Sequence, residues 1–279
     1  MPVPAFGYAP VYEGELLYQV EGEGPGLVLI HAGVAHLGMW DEQWPAFTAG
    51  HRCLRYDCRG FGGSRSRPVT FNNIKDLLDV MDHVGMGRAA LVGCSRGGEI
   101  GLDAVLEHPD RFSAFVSVCG GVNGYNAYDG VEVPPVAMAL VDEIEKVWKK
   151  RTPEEARQLW ELEARLWADG PGQPENRLPP AVRARLMALN WVNIQRQSEG
   201  ARAEEMPIPS ALRMWDIRVP VLAISGRFDE LFCQRSMAYL AREAPEGRLV
   251  EVDSAHLPNV EQPEWFTRTV LDFLAGVGA

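Results

Sequence analysis

Three residues of this 279-residue chain have the types that acyl-transfer chemistry uses: Ser95, Asp229 and His256. A serine hydroxyl is a weak nucleophile at neutral pH. It attacks a carbonyl only when a neighbouring imidazole takes its proton and a carboxylate orients that imidazole. The surroundings of Ser95 fit this use, because it stands in Gly93-Cys94-Ser95-Arg96-Gly97, a Gly-x-Ser-x-Gly spacing. A serine on an abrupt strand-to-helix turn takes strained dihedrals, and side chains on either side would block the close backbone approach that such a turn requires. The orphan N–H groups and positive dipole end of the following helix then face any negative charge that develops beside the hydroxyl. The plain alternative is a glycine-rich turn holding an incidental serine, so the elements around it must decide.

Those elements alternate. Ala89–Val92 reads as a buried strand leading into Ser95, and a helical pattern runs from Ile100 to Glu107. Upstream, residues 6–21 alternate apolar and polar around Tyr12-Glu13-Gly14-Glu15, which predicts an edge hairpin. Leu27–Ile30 and Cys53–Asp57 read as strands, with a short helix over Met39–Phe47 between them. Asn72 or Asn73 caps a helix that ends at Gly85. Phe112–Cys119, Val219–Ser225 and Arg248–Val252 are further strands, and Pro263 opens a closing helix. This order predicts an α/β fold with a mostly parallel central sheet and helices on both faces. Ser95, Asp229 and His256 each follow a different strand, on the edge where open parallel sheets bind ligands. Asp129 is an alternative acid, and Asp229 could instead cap the helix after it.

The rhythm breaks between 122 and 215, where no convincing strand appears. Here Val136, Leu140, Ile144 and Val147 form an apolar stripe, with Asp142–Lys146 and Glu145–Lys149 spaced for ion pairs on the other side. Thr152-Pro153-Glu154-Glu155 is a capping box that opens a second helix carrying Leu159, Trp160, Leu166 and Trp167. A third helix spans about Ala181–Gln197. The expected organisation is a core of 1–121 and 216–279 with a helical cap insertion, 122–215. Trp148, Trp160, Trp167 and Trp191 fall inside it. They are either core of the helical layer or, together with Val34, the lining of an apolar substrate pocket above Ser95.

A net charge of −11 argues against nucleic acid or an anionic membrane as partner. The five cysteines lack metal-ligand spacing and suit a reducing cytoplasm. The N-terminal residues lack a basic, apolar leader, so the expectation is a cytoplasmic protein, monomer or homodimer, with no metal and no cofactor. Arg59-Gly60-Phe61-Gly62-Gly63-Ser64 lacks the Gly-Lys-Ser/Thr ending of a phosphate-binding loop and reads as a structural turn. His31 reads as a structural loop residue, and Cys94 as facing the core.

The order serine, acid, histidine matches the α/β-hydrolase arrangement. With His31-Ala32-Gly33, Tyr56-Asp57-Cys58-Arg59-Gly60-Phe61-Gly62-Gly63-Ser64, Gly93–Gly98, Gly226-Arg227-Phe228-Asp229 and Ala255–Pro263, the chain resembles the α/β-hydrolase superfamily over nearly its whole length. The resemblance is to its small, cofactor-free serine esterases, enol-lactonases and carbon–carbon bond hydrolases. It implies Ser95 as nucleophile, His256 as general base, Asp229 as the orienting acid, and the backbone N–H groups of Gly33 and Arg96 as the oxyanion hole. Ala32 departs from the glycine usual after the loop histidine. The Arg96 side chain either pairs with a substrate carboxylate or enolate or forms a salt bridge to the insertion, the latter being the expectation. The implied reaction is cleavage of a small, apolar or aromatic ester or lactone. Carbon–carbon bond hydrolysis, perhydrolysis and a non-turnover ligand receptor are the alternatives.

Overall fold

The computed structural model describes residues 5–148, 152–196 and 200–279, and the Trp148 side chain lies outside the described part. The edge hairpin is formed by β1 (Phe6–Val11) and β2 (Gly14–Glu21), antiparallel with Val11 opposite Gly14. Its turn carries Glu13 at φ 50°. Six further long strands follow, β3 (Gly26–Ile30), β4 (Arg52–Tyr56), β5 (Ala89–Cys94), β6 (Phe112–Val118), β7 (Val221–Gly226) and β8 (Gly247–Val252), and the two-residue strand Arg65–Ser66 pairs with β2. Their spatial order is 1-2-4-3-5-6-7-8, and every pairing from β4 to β8 is parallel.

A two-sided core follows from the period-two geometry of the strands. Val28, Ile30 and Leu91 point into one buried apolar cluster; Leu27, Leu29, Ala90 and Val92 point into another on the opposite face. Helices cover both: α1 (Trp44–Thr48), α2 (Asn73–His83), α3 (Arg96–Glu107), then α7 (Leu231–Glu243), α8 (Pro258–Glu261) and α9 (Pro263–Val277) beyond the interruption. Asn72 caps α2 as its sequence suggests, accepting the N–H groups of Ile74 and Lys75.

Between β6 and β7 lie α4 (Pro135–Trp148), α5 (Pro153–Glu163) and α6 (Pro180–Gln195). Thr152 and Glu155 form the expected capping box. Three expectations for this stretch need correction. A short strand does occur in it, Arg202–Ala203, pairing in parallel with Thr70–Phe71. Lys146 pairs with Glu143, one turn back, at 2.8 Å, in place of Asp142; the Glu145–Lys149 pair lies outside the described residues. The second helix does not run regularly through Trp167, because after Glu163 the chain loosens into one turn of π-helix, Ala164–Asp169, closed by Gly170 at φ 90°. Among the described residues no helix is long and apolar enough to cross a membrane.

Candidate active site

Ser95 is at φ 52°, ψ −117°, in the positive-φ region that non-glycine residues avoid. The packing that holds it there explains the glycines around it. A Cβ on Gly93 would stand 2.1 Å from the Gly97 carbonyl oxygen, and one on Gly97 would stand 2.3 Å from the Ile30 carbonyl oxygen. The strand end and helix start therefore meet backbone to backbone. The turn is tied to the sheet by the Ser95 N–H, which donates to the Val118 carbonyl at 2.8 Å, while the Ser95 carbonyl accepts from Gly98 at 2.8 Å to begin α3.

Asp229 and His256 are each almost fully buried, three residues past β7 and four past β8. The His256 ring nitrogen Nδ1 lies 3.0 and 2.9 Å from the two carboxylate oxygens of Asp229. An ionised carboxylate only accepts, so Nδ1 carries the proton and Nε2 is left with its lone pair. Asp229 is fixed in turn by the Glu230 N–H at 2.8 Å. Asp129 is exposed on the surface and its carbonyl accepts from Arg235, so Asp229 is the acid that meets the histidine. The loop of His256 touches the serine turn through Cys94, whose Sγ is 3.7 Å from the His256 carbonyl oxygen. Cys94 is buried in the core, as its position suggests.

The Gly33 loop is built by His31. This wholly buried ring donates from Nδ1 to the Ala32 carbonyl at 2.7 Å and accepts the Cys58 N–H on Nε2 at 2.9 Å, stapling the loops after β3 and β4. Burial pushes its pKa down to about 4, so it stays neutral in this role. The methyl of Ala32 is absorbed into the core cluster, so the departure from glycine leaves Gly33 free to face the serine turn. A Cβ on Gly33 would lie 3.9 Å from that of Arg96. Among the described residues neither the Gly33 nor the Arg96 N–H has an acceptor. The glycine-rich turn after β4 is structural: the Asp57 carboxylate accepts the N–H groups of Leu37 and Gly63, both at 2.7 Å.

The Arg96 side chain does not reach the insertion as expected. It donates to Asn73 at the start of α2 at 2.9 Å and lies over the Phe61 ring, because α2 packs closer to it than the helices of the insertion do. Its Nε is buried without a partner. Arg96 lines a cavity of about 360 Å³ together with Glu99, Asp103, Tyr125, Phe232 and Glu204. Glu99 opens into this recess one helical turn after Ser95. Although Glu99 is exposed along this recess, its carboxyl is raised from its ordinary value, desolvation by the surrounding protein outweighing the opposing pull of Arg96 and His256.

Of the residues expected to line a pocket, Val34, Trp160 and Trp167 surround a second, apolar hollow of about 20 Å³. That is room for about one water, far below a ligand site. Trp191 stands behind it, its ring 4.9 Å from that of Trp160. Trp167 does more than line the hollow. Its ring centre is 4.4 Å from the imidazole, and its carbonyl accepts the His256 N–H at 3.2 Å. Reading the sequence missed this backbone contact, along with Glu99 and Glu261, although Glu99 follows Ser95 at the helical interval and Glu261 lies inside the His256 motif. Cys119, Asp229 and His256 bring donor atoms within 4.8 Å of one another. Burial holds the Cys119 thiol well above its usual range, and His256 and Asp229 are engaged with each other, so the set is better suited to the hydrogen-bonded pair than to metal ligation.

Comparison with known proteins bears on the fold and the family. The model of the alpha/beta hydrolase fold family matches residues 25–263. A 2-hydroxy-6-oxononadienedioate/2-hydroxy-6-oxononatrienedioate hydrolase of Comamonas testosteroni is 24% identical, the alignment covering 91% of this chain and 89% of that protein. The crystal structure of the enol-lactonase from Burkholderia xenovorans LB400 superposes with a TM-score of 0.75 at 26% identity, over 96% of this chain and all of that one. The esterase RhEst1 from Rhodococcus sp. ECU1013 shares the fold, with a TM-score of 0.79 at 20% identity over 98% and 100% of the two chains. The sheet order, the strained serine turn and the family match over most of the chain lead to one conclusion: the chain belongs to the α/β-hydrolase fold family and is a hydrolase enzyme of it.

Proposed function

We propose that the chain is a serine hydrolase that cleaves small esters or lactones through an acyl-enzyme. The observation that carries this reading is the buried Asp229–His256 pair, whose tautomer leaves Nε2 as a proton acceptor on a loop that meets the strained Ser95 turn at Cys94. Nε2 takes the Ser95 proton as Oγ bonds to the substrate carbonyl carbon. The carbonyl oxygen gains the negative charge and lies against the N–H groups of Gly33 and Arg96. Collapse expels the alkoxide, which receives the proton from His256, and leaves the acyl group on Ser95. Water then repeats the sequence: its proton goes to Nε2, its oxygen to the acyl carbon, and the proton returns to Ser95 as the acid departs.

The acidic lining of the recess beside Arg96, the residue after Ser95, supports an uncharged ester over a dicarboxylate as substrate. Glu99, Asp103, Glu204 and Glu205 line the 360 Å³ cavity against the single guanidinium of Arg96, so a substrate with two carboxylates would meet net repulsion there. This separates the reading from hydrolysis of the dienedioate named for the Comamonas relative. Ser95→Ala is expected to lower kcat on a p-nitrophenyl ester by as much as ~10⁶-fold with an unchanged melting temperature. Wild-type rates in that variant would overturn the assignment. Ester, lactone and dienedioate substrates assayed side by side test the preference.

A further inference from the structure

A buried ion pair joins the two loops of the site to the π-helical turn of the insertion. Glu261 in α8 accepts the Ala255 N–H on Oε1 at 2.8 Å, one residue before His256. Its other oxygen accepts Arg177 Nη1 at 2.8 Å, and the two side chains are only 3% and 13% exposed. Arg177 comes from the loop between α5 and α6. Its remaining donors close on the π-helical turn: Nη2 to the Ala168 carbonyl and Nε to the Asp169 carbonyl, each at 2.7 Å. That turn presents the Trp167 carbonyl and ring to His256.

The acid loop is held by the same guanidinium. Arg177 lies over the Phe228 ring, centre to centre 5.1 Å, and Phe228 directly precedes Asp229. A Cβ on Gly170, at the end of the turn, would sit 2.3 Å from the Phe228 carbonyl oxygen. The Asp169 carboxylate is clamped from the other side by Arg165 and Arg183, at 2.8 and 2.9 Å. One guanidinium thus touches the acid loop, the histidine loop and the wall on which the imidazole rests.

Simple stabilisation is a weak reason for this arrangement. A buried pair of this kind contributes little net stability compared with apolar residues of the same volume, whereas its fork geometry fixes orientation. We infer that Arg177 and Glu261 are positioning residues for the reaction proposed above, locking the Trp167–Asp169 turn and the Ala255–His256 backbone in one register so that the imidazole is held for proton transfer. It follows that this corner of the insertion is a fixed wall of the site and moves with the core.

The test separates positioning from plain structure. Arg177→Met leaves Glu261 buried and unpaired, so its melting temperature and its kcat both fall. In the double variant Arg177→Met with Glu261→Gln no charge is stranded and residue 261 still accepts the Ala255 N–H, so the melting temperature returns towards wild type. If the bridge positions His256, kcat on an ester stays reduced by roughly 10- to 100-fold with KM within about threefold, since small misplacements of a reacting group cost this much. The low-field Nδ1–H proton resonance of His256 then shifts or exchanges faster in the double variant than in wild type. Recovery of kcat together with the melting temperature would overturn the inference, and so would a lower kcat with the His256 resonance unmoved. Should wild-type protein neither hydrolyse esters nor label at Ser95 with a fluorophosphonate, the hydrolase reading fails. The resonance still decides whether the bridge holds His256.

Discussion

The sheet rim and the helical insertion are held together by different physics. At the rim, backbone packs on backbone: Gly93 and Gly97 bring β5, α3 and the end of β3 so close that no side chain fits between them. At the loops of Ala35 and Phe61–Ser64, by contrast, the insertion meets the rim through long polar side chains. Asn193 accepts the Gly62 N–H at 3.0 Å and donates to the Ala35 carbonyl at 2.7 Å, and Arg196 donates to the Phe61, Gly62 and Ser64 carbonyls. A close-packed backbone junction has one geometry and fails as a unit. A polar seam fails one bond at a time, which suits the part of an enzyme that differs with substrate.

The sharpest test of the rim is electronic. Asp229→Asn preserves the shape of the site but places an amide against Nδ1, which favours the opposite tautomer and withdraws the lone pair from Nε2. The expected loss is about 10⁴-fold in kcat with little change in KM. A loss under tenfold would mean that Asp229 does not orient His256 in catalysis.

Next in size is a test of the close packing itself. Gly97→Ala introduces a methyl 2.3 Å from the Ile30 carbonyl oxygen, an atom with no freedom to move within the sheet. Roughly 3 kcal/mol of stability should be lost in urea denaturation, with activity impaired in the residual fold. Near-wild-type stability would show that the junction between β3 and α3 is looser than these distances require.

These two tests mark what the sequence makes legible. Gly-x-Ser-x-Gly, the strand before it and the helix after it are local, so the strained turn can be read from one continuous stretch, Ala89–Glu107. Asp229 and His256 were findable because each follows an apolar strand whose carboxyl end must lie at the same rim. The insertion was legible only as helices. The π-helical turn at Ala164–Asp169 leaves no periodic mark, and Arg177 reads as one polar residue in a Gly/Pro-rich loop. Its partner Glu261 is 84 residues away, and nothing in composition or spacing pairs them. Arg96 was misread for the same reason, since its partner Asn73 looked like a helix cap and nothing more.

A smaller effect should appear in acid and trace to His31. In the folded protein burial holds its pKa at about 4, against 6.5 for the free side chain. Above pH 6.5 both folded and unfolded chains carry it neutral. As pH falls from 6.5 towards 4 the unfolded chain takes a proton that the folded chain refuses, so stability is lost across this window. The loss from this residue between pH 7 and pH 5 is about 2 kcal/mol. Asp76 and Asp103, whose carboxyls burial pushes up, act in the opposite sense, so the measurement is the difference between wild type and His31→Asn. Parallel pH profiles for the two proteins would remove His31 as the source.

The smallest effect belongs to the seam. Asn193→Ala removes an acceptor from Gly62, which is partly open to solvent, and a donor from the buried Ala35, so water can replace the first bond more readily than the second. Global unfolding should change by only about 1 kcal/mol. Hydrogen exchange should rise at residues 59–64 and in the last turn of α6 while the β5 amides keep their protection, because the sheet does not depend on this bond. The substrate-binding constant should respond before the chemical step does, since the loops that Asn193 joins border the Gly33 turn but leave the Asp229–His256 pair untouched. A loss of protection spreading into β5, or a fall in stability equal to that of Gly97→Ala, would show that seam and rim are one cooperative unit and that the contrast between them is only one of side-chain type.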